Sequence, residues 1–539
     1  MDKETQKTYL KTVEKHYRQL ADLLLSQGRL PEAEQVLSLL KEEEYSGLLR
    51  RRSDPGSDVG YSSAEAGAVK VIAQLAELGR ERGELSGQLD KKTLDETGRT
   101  RLNQIERELL PQANAEFKRA LESVSRETPD TAVKTAEVRD AQALASKLRK
   151  LGPGTVALYT IISAEKGRST RGWVMLITPD FRRAYEVDVS ELDATVLALR
   201  DSLRSPADDP RPLAHKLYRA IFQTPQPKGA PTLAADLEKY LRDQKERTLM
   251  WSLDGVLRYV PVAALSPDGE HYLVERYRNV VFTPASIPTL TDPVSREWRA
   301  LGLGVSKEHK PFAALAGVPR ELAGIVRAGD KQGADGVLSG AVKLDEQFNA
   351  AAMMDGLREG YAVVHIATHF SYDAADPNRS FLLLGDGGHL EMAAFNDAAN
   401  VFEKTELLTL SACETAMGSS GEANGKDAEG LGYVAQKLGA QSVIATLWPV
   451  DDIGTQVLMP EFYRLRESNP GMAKAEALRR AQLAMIKGEL KPQGGRQEGR
   501  GLKISADGQE SRGLKTGTGA KSYAHPYYWA PFILIGNWK

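Results

Sequence analysis

Nine short segments rich in β-branched and other apolar residues follow one another beyond Gly154 in this chain of 539 residues. Several of them are almost entirely apolar, which is typical of strands buried on both faces of a sheet. Patterns with helical spacing lie between them, so the sequence predicts an α/β/α sandwich with a mostly parallel central sheet. The segments are 155–163, 172–178, 248–253, 279–282, 301–305, 362–368, 405–412, 441–447 and 532–535.

Two of these predicted strands lead directly to side chains that can perform chemistry. His369 follows segment 362–368, and Cys413 follows segment 405–412. Active sites of parallel sheets gather at the carboxyl ends of strands, so adjacent strands would bring this imidazole and thiol together. An imidazole that accepts the thiol proton creates a nucleophilic thiolate and can then protonate a leaving amine. The pair has the groups needed for acyl transfer, and the backbone N–H groups of Cys413 and Phe370 are candidates for an oxyanion hole.

Cys413 is the only cysteine of the sequence, which excludes an intrachain disulfide and a multi-thiolate zinc site. Two interpretations remain for it, a reactive thiol or a small buried hydrophobic side chain. His365 and His369 would lie about 13 Å apart along a strand, at ~3.3 Å per residue, and therefore could not share a metal ion. We expect no metal and no organic cofactor.

The sequence around both strand ends carries further motifs. These are Asp-Gly-Val-Leu-Arg-Tyr-Val-Pro (254–261), His-Ile-Ala-Thr-His (365–369), Leu-Ser-Ala-Cys-Glu-Thr (410–415), Gly-Leu-Gly (430–432), Ser-Val-Ile-Ala-Thr-Leu-Trp-Pro-Val-Asp-Asp (442–452) and His-Pro-Tyr-Tyr-Trp-Ala-Pro-Phe (525–532). This ordered set closely resembles the CHAT domain, a family grouped with the caspases, separases and gingipains. The resemblance covers residues 155–539. It implies a caspase-like fold and a site-specific cysteine endopeptidase with His369 and Cys413 as the catalytic dyad.

The resemblance also implies a biological setting and a cleft. Related proteins are often bacterial, act in defence and cut a dedicated protein partner, in some systems a gasdermin-like pore former. Many caspase-like enzymes have glycine after the catalytic histidine, whereas this chain has Phe370, whose ring would shape the cleft.

Asp451 and Asp452 follow Trp448 at the end of the strand next in sequence to the cysteine strand. By analogy with separases, a carboxylate in this region could bind a basic P1 side chain. The alternative is a helix N-cap with a first-turn carboxylate, because a helical pattern over 455–466 follows directly. Both interpretations remain open on the sequence.

The part of the chain before Gly154 predicts helices. Apolar and small residues over 17–40 indicate two antiparallel helices around Gly28, in a pattern that resembles one tetratricopeptide repeat. Residues 63–150 predict a long helical hairpin, either a structural spacer or an arm that binds a partner or activator. The predicted domains are therefore 1–52, 63–150 and 155–539, the last with a pseudo-domain over 155–300, a catalytic part over 301–539 and a disordered insertion over 487–522.

Charge and hydropathy limit the remaining functions. A formal net charge of −2 provides no chain-wide basic field for nucleic acid. The N-terminal residues are charged, and no stretch approaches 18 apolar residues, so we expect a cytoplasmic protein that does not act on membranes. Two alternatives to a peptidase remain: a catalytically weak CHAT scaffold for protein–protein interaction, and a Cys/His amidase or acyltransferase with a closed pocket.

Overall fold

The computed structural model describes most of the chain. The described residues are 3–49, 78, 81, 85, 88, 94–109, 111–113, 115, 116, 119, 141–165, 168–328, 336–371, 379–392, 394, 401–411, 426–448, 452–490 and 523–539. Cys413, Asp451 and residues 491–522 of the predicted insertion lie outside this set. The chain divides into two compact units, Met1–Lys11 with Ser53–Gln142 and Thr12–Arg52 with Ala143–Lys539.

The helices of the described residues are found in both units. They are α1 (Lys3–Ser26), α2 (Leu30–Leu49), α3 (Glu96–Gln104), α4 (Ala141–Leu151), α5 (Leu192–Leu203), α6 (Arg211–Phe222), α7 (Leu233–Leu241), α8 (Val318–Ile325), α9 (Ala350–Glu359), α10 (Lys426–Lys437), α11 (Asp452–Ser468), α12 (Lys474–Ile486) and α13 (Pro526–Trp529).

The strands all lie in the larger unit. They are β1 (Thr155–Glu165), β2 (Arg168–Ile177), β3 (Arg182–Glu186), β4 (Thr248–Ser252), β5 (Arg278–Val281), β6 (Arg299–Gly304), β7 (Val326–Ala328), β8 (Leu338–Leu344), β9 (Val363–Ala367), β10 (Phe370–Ser371), β11 (Phe381–Leu383), β12 (His389–Glu391), β13 (Leu407–Leu410), β14 (Ser442–Thr446) and β15 (Phe532–Gly536). Each of the nine predicted segments coincides with one of these strands.

Among the described residues, twelve strands form one sheet in the order β3-β2-β1-β4-β5-β15-β14-β13-β9-β6-β8-β7. Neighbours are parallel except in the pairs β1–β2, β2–β3 and β14–β15. Strands β10, β11 and β12 form a separate antiparallel sheet beside the end of β9. The predicted α/β fold with a mostly parallel central sheet is confirmed.

The central strands are buried because their residues are apolar on both faces. Every residue of β4, β9 and β14 is buried, so helices must cover the sheet on both sides. Helix α8 can lie close to β6 because Gly304 has no side chain. A Cβ atom there would lie 2.5 Å from Val318 and 2.7 Å from Leu322 of α8, which is closer than atoms can pack.

Helix α2 and the part of α1 from Thr12 onward belong to the larger unit and pack on the β1–β3 end of the sheet. Gly28 adopts a φ of 72° in the turn between them, a conformation that glycine adopts without strain. The indole Nε1 of Trp173 donates a hydrogen bond to Asp22 of α1 at 2.7 Å, and Arg182 pairs with Glu34 of α2. The tetratricopeptide assignment of these helices and the predicted domain boundaries stay predictions.

A buried charge cluster joins these two helices to the sheet. It consists of Arg18, Lys41, Glu44, Asp254, Arg258 and Glu429. Lys41 Nζ lies 3.1 Å from Asp254 Oδ1, and Arg258 Nε lies 3.2 Å from Glu429 Oε2. Burial alone would raise the pKa of Glu44, but the neighbouring Arg258, Lys41 and Arg18 lower it. Three cations and three anions thus balance in a site that is closed to water except along the Arg18 side chain, which is 20% exposed.

The smaller unit contains α3, and Asp95 is the N-cap residue of this helix. The Asp95 carboxylate accepts a hydrogen bond from the Gly98 N–H at 2.7 Å and so caps the helix. One π-helical turn over Ile105–Leu109 follows, and Ile105 packs with Leu78 in a small apolar core. Within the described part of the chain, no helix is long and apolar enough to span a membrane.

Candidate active site

Strands β9 and β13 are direct, parallel neighbours in the sheet. Their register pairs His365 with Thr409 and Ile366 with Leu410, and the Ser411 N–H donates to the Ile366 carbonyl at 2.8 Å. His369 comes two residues after β9 ends. Cys413 comes two residues after Ser411, beyond the described residues, so the Cys413–His369 dyad stays a prediction. The strand adjacency on which that prediction depends is present.

The imidazole of His369 is held by a backbone carbonyl. Its side chain is buried, with the residue 6% exposed, and its Nε2 lies 2.8 Å from the oxygen of Ala313. A carbonyl oxygen can only accept a hydrogen bond, so Nε2 carries a proton. In the neutral ring the lone pair is then on Nδ1. This assigns Nδ1 as the atom that can accept a proton from a thiol.

The loop over residues 305–317 carries Ala313 and is anchored by Asp345. This carboxylate accepts hydrogen bonds from the Ser306 N–H at 2.7 Å, from the Ser306 hydroxyl at 2.8 Å and from the Lys307 N–H at 3.3 Å. Burial alone would raise the pKa of Asp345, but the bonds from Ser306 and Lys307 lower it. Asp345 also has a φ of 51°, which few non-glycine residues adopt. Neither Ala313 nor Asp345 was predicted from the sequence.

An aromatic group lies beside His369. The ring centroid of Phe312 is 5.2 Å from the imidazole, and Phe381 meets Phe312 edge-on at 6.1 Å. The exposed His389 stacks on Phe381 at 3.7 Å. Phe312 and Phe381 are both half-buried, whereas Phe370 is 3% exposed and belongs to the main core. Phe312, which contacts His369, and Phe381, which contacts Phe312, are therefore partly open to solvent, and neither was singled out in the sequence.

Trp448 and Asp452 follow β14, which pairs with β13 on the side away from β9, and Asp451 lies outside the described residues. Trp448 is 2% exposed and its Nε1 donates to the Tyr527 carbonyl at 3.3 Å. Asp452 is the first residue of α11, where a negative charge is favourable to the helix dipole. A substrate-binding role for Trp448, Asp451 and Asp452 stays a prediction.

Two more histidines have structural partners. His525 caps α13 by accepting a hydrogen bond from the Tyr527 N–H at 3.0 Å, and burial lowers its pKa. His365 is fully buried and contacts a carboxylate and a phenol. In the described ranges, no group of three or more His, Cys, Asp or Glu side chains is arranged to hold a metal ion.

The chain is an α/β protein with a mostly parallel sheet. Its candidate site contains an oriented histidine and lies at the carboxyl end of a central strand. The family model described as "CHAT domain" matches residues 211–537, and the chain belongs to this family. The match begins later than residue 155, where the sequence motifs placed the start of the domain.

Two solved chains, both from the separase–securin complex of Saccharomyces cerevisiae, are similar in structure. Each has 9% sequence identity and a TM-score of 0.43. The matches cover 94% and 97% of this chain but only 40% and 44% of the yeast chains, so this chain spans less than half their length. No curated protein matches the sequence.

Proposed function

We propose that the chain is a cysteine endopeptidase in which Cys413 is the nucleophile and His369 the general acid and base. One observation carries this proposal: the His369 ring, held through Nε2 by Ala313, follows a strand that directly neighbours the strand leading to Cys413. Membership of the CHAT family supports it.

The proposed reaction has two acyl-transfer steps. Nδ1 of His369 accepts the thiol proton, and the Cys413 sulfur attacks the scissile carbonyl carbon. Backbone N–H groups of Cys413 and Phe370 bind the resulting oxyanion. As the C–N bond breaks, the imidazolium gives its proton to the leaving amine and a thioester remains. Water, deprotonated by His369, then attacks the thioester and releases the carboxylic acid.

The Ala313 carbonyl has an electrostatic role in this cycle. When His369 is protonated, its Nε2–H still donates to Ala313, and the carbonyl dipole points its negative end at the positive ring. This contact keeps the ring from rotating as charge develops. The role is the same as that of the carboxylate in a Ser-His-Asp triad, but with a dipole instead of a full charge.

The substrate is proposed to be a protein partner. Family resemblance favours a bacterial enzyme of defence with a gasdermin-like pore former as substrate. The charged N-terminal sequence favours a cytoplasmic location, and the N-terminal helices are the proposed binding site of a partner or activator. A basic P1 residue would pair with Asp451 or Asp452.

Peptidase activity can be tested by mapping new protein N-termini. Wild type and Cys413→Ala are each incubated with the proteome of the source cells, and His389→Ala serves as a matched histidine control beside His369→Ala. We expect new termini with wild type and His389→Ala only. Wild type that produces no termini and does not react with a peptidyl electrophile would indicate a scaffold. Reaction with the electrophile but no new termini would indicate an amidase or acyltransferase.

A further inference from the structure

A buried chain of four polar side chains lies beneath the site. His365 Nε2 is 2.8 Å from Glu321 Oε1, and His365 Nδ1 is 3.2 Å from Tyr463 Oη. Tyr463 Oη in turn lies 2.8 Å from Thr409 Oγ1. Exposure does not exceed 5% for any of the four residues. They come from four elements, α8, β9, α11 and β13, and two of these are the strands that lead to His369 and Cys413.

The hydrogen bonds of this chain form a consistent series. The Glu321 carboxylate accepts, so His365 Nε2 carries a proton, and in the neutral form of the ring Nδ1 accepts from the Tyr463 hydroxyl. The Tyr463 oxygen then accepts from the Thr409 hydroxyl. Each buried polar atom in the series has a partner, which matters because an unpaired one costs about 1–3 kcal/mol. Burial raises the pKa of Tyr463, so the phenol keeps the proton that it donates.

Glu321 ties helix α8 to the strand that leads to the catalytic histidine. This helix begins at Val318, immediately after the loop that carries Ala313. Val318 and Leu322 pack against Ala367, two residues before His369. On its other side α8 lies against α11, where a Cβ atom on Gly324 would lie 3.2 Å from Pro460. The Glu321–His365 bond adds a directional contact to this apolar packing.

We propose that Glu321, His365 and Tyr463 are positioning residues for His369, which act by fixing α8 and with it the Ala313 carbonyl. This inference rests on the proposed function. If α8 shifts, the Ala313 oxygen moves away from Nε2, the ring loses its orientation, and Nδ1 is no longer held toward the thiol. Misplacement of a reacting group by about 1 Å costs on the order of 100-fold in rate.

Substitutions at Glu321 distinguish positioning from general stability. Glu321→Gln retains a carbonyl oxygen that accepts the bond from His365 Nε2, whereas Glu321→Leu has a similar size and no acceptor. We expect kcat to fall about 10- to 100-fold in Glu321→Leu, with KM within about twofold because the substrate contacts are untouched. Glu321→Gln should stay within about threefold of wild type, since its hydrogen bond survives.

The single cysteine provides a second measurement. Alkylation by iodoacetamide over a range of pH reports on Cys413 alone, because the sequence has no other thiol. Glu321→Leu should lower the alkylation rate at pH 6–7 about tenfold and move its pH profile upward, since the thiolate loses its imidazole partner. Tyr463→Phe should do the same more weakly. Tyr185→Phe is the matched control, because it also removes a buried, hydrogen-bonded phenol. Tyr185 lies on the outermost strand β3 and donates to Asp236 of α7 at 2.7 Å.

The tautomer of His369 is read directly by nitrogen NMR of histidine-labelled protein. Wild type should show a proton on Nε2, and Glu321→Leu should show exchange between both nitrogens. If Glu321→Leu fails to fold, Tyr463→Phe takes its place. A wild-type tautomer and alkylation profile in folded Glu321→Leu would overturn the proposal. The NMR result holds even if wild type cleaves no peptide, which would refute the peptidase and not the positioning network.

Discussion

Substitution of Arg258 by methionine tests the buried charge cluster. Methionine has a similar length and no charge, so the change removes one cation while the surrounding packing is largely kept. Arg258 contacts Glu44, lies 3.2 Å from Glu429 and is 3.8 Å from Asp254. Without it, three anions face two cations in a site shielded from water. Leaving a buried charge uncompensated in this way costs about 3–5 kcal/mol.

The loss is measurable by urea unfolding followed through tryptophan fluorescence. All six tryptophans of the sequence lie beyond residue 142, so the signal reports on the larger unit alone. At a slope of about 3 kcal/mol/M, the unfolding midpoint should fall by about 1–1.7 M. Arg464→Met is the matched control. Arg464 is half-exposed and pairs with Glu461 on the surface, so its loss should cost less than about 1 kcal/mol.

A second substitution restores charge balance. In Arg258→Met with Glu429→Gln, two cations face two anions, and we expect the double variant to be more stable than the sum of the single losses by about 1–2 kcal/mol. The reasoning is refuted if Arg258→Met lies within 1 kcal/mol of wild type, or if the two single losses simply add.

Three further predictions concern single side chains. Lys474 is fully buried, its Nζ has no hydrogen-bond partner among the described residues, and burial lowers its pKa to about 7. Because the folded-state pKa of Lys474 is below the unfolded value of 10.5, the free energy of unfolding falls as the pH drops from 10.5 to 7. Lys474→Met should therefore stabilise the fold by about 3–4 kcal/mol at pH 7–8 and not at all above pH 11. Urea unfolding at these pH values measures the difference. Asp345→Asn keeps a residue that tolerates positive φ but weakens the hydrogen bonds to Ser306. Because folding lowers the pKa of Asp345, the carboxylate stabilises the fold at neutral pH, and this contribution is lost as the pH falls through the lowered pKa. The variant should therefore lose about 1–2 kcal/mol at pH 7, and an unchanged acid limb in a plot of Tm against pH would contradict this. His369→Ala should slow iodoacetamide alkylation of Cys413 at pH 6–7 by about tenfold or more. An unaltered rate would show that His369 does not activate the Cys413 thiol.

The strands that could be predicted from the sequence are those that the sheet buries on both faces. Their apolar composition is required by burial and is visible in any short window. Strands β3, β7 and β8 were not predicted, because they lie at or near the sheet edges and carry polar residues such as Arg182 and Lys343. Edge position is a property of the topology, and local composition does not report it.

The candidate site could likewise be predicted only in part from local sequence. His369 could be predicted because it directly follows an apolar strand. Ala313 could not, because any residue offers a backbone carbonyl and this one comes from a loop 56 residues earlier in the chain. The bond between Arg258 and Glu44 spans 214 residues and depends on how α2 packs against the sheet. Contacts of this kind follow from the tertiary structure, for which a single sequence has no local signal.

Strand β15 has a consequence for how the protein forms in the cell. It lies at the centre of the sheet, between β5 and β14, and so joins the half built from β1–β5 to the half that contains β9 and β13. A ribosome synthesises residues 532–536 after the other strands of the described residues, so the inner edges of the two half-sheets stay unpaired until those residues emerge. Exposed edges of this kind recruit other chains. The nascent protein is therefore most prone to aggregate after β14 has been synthesised and before β15 has emerged.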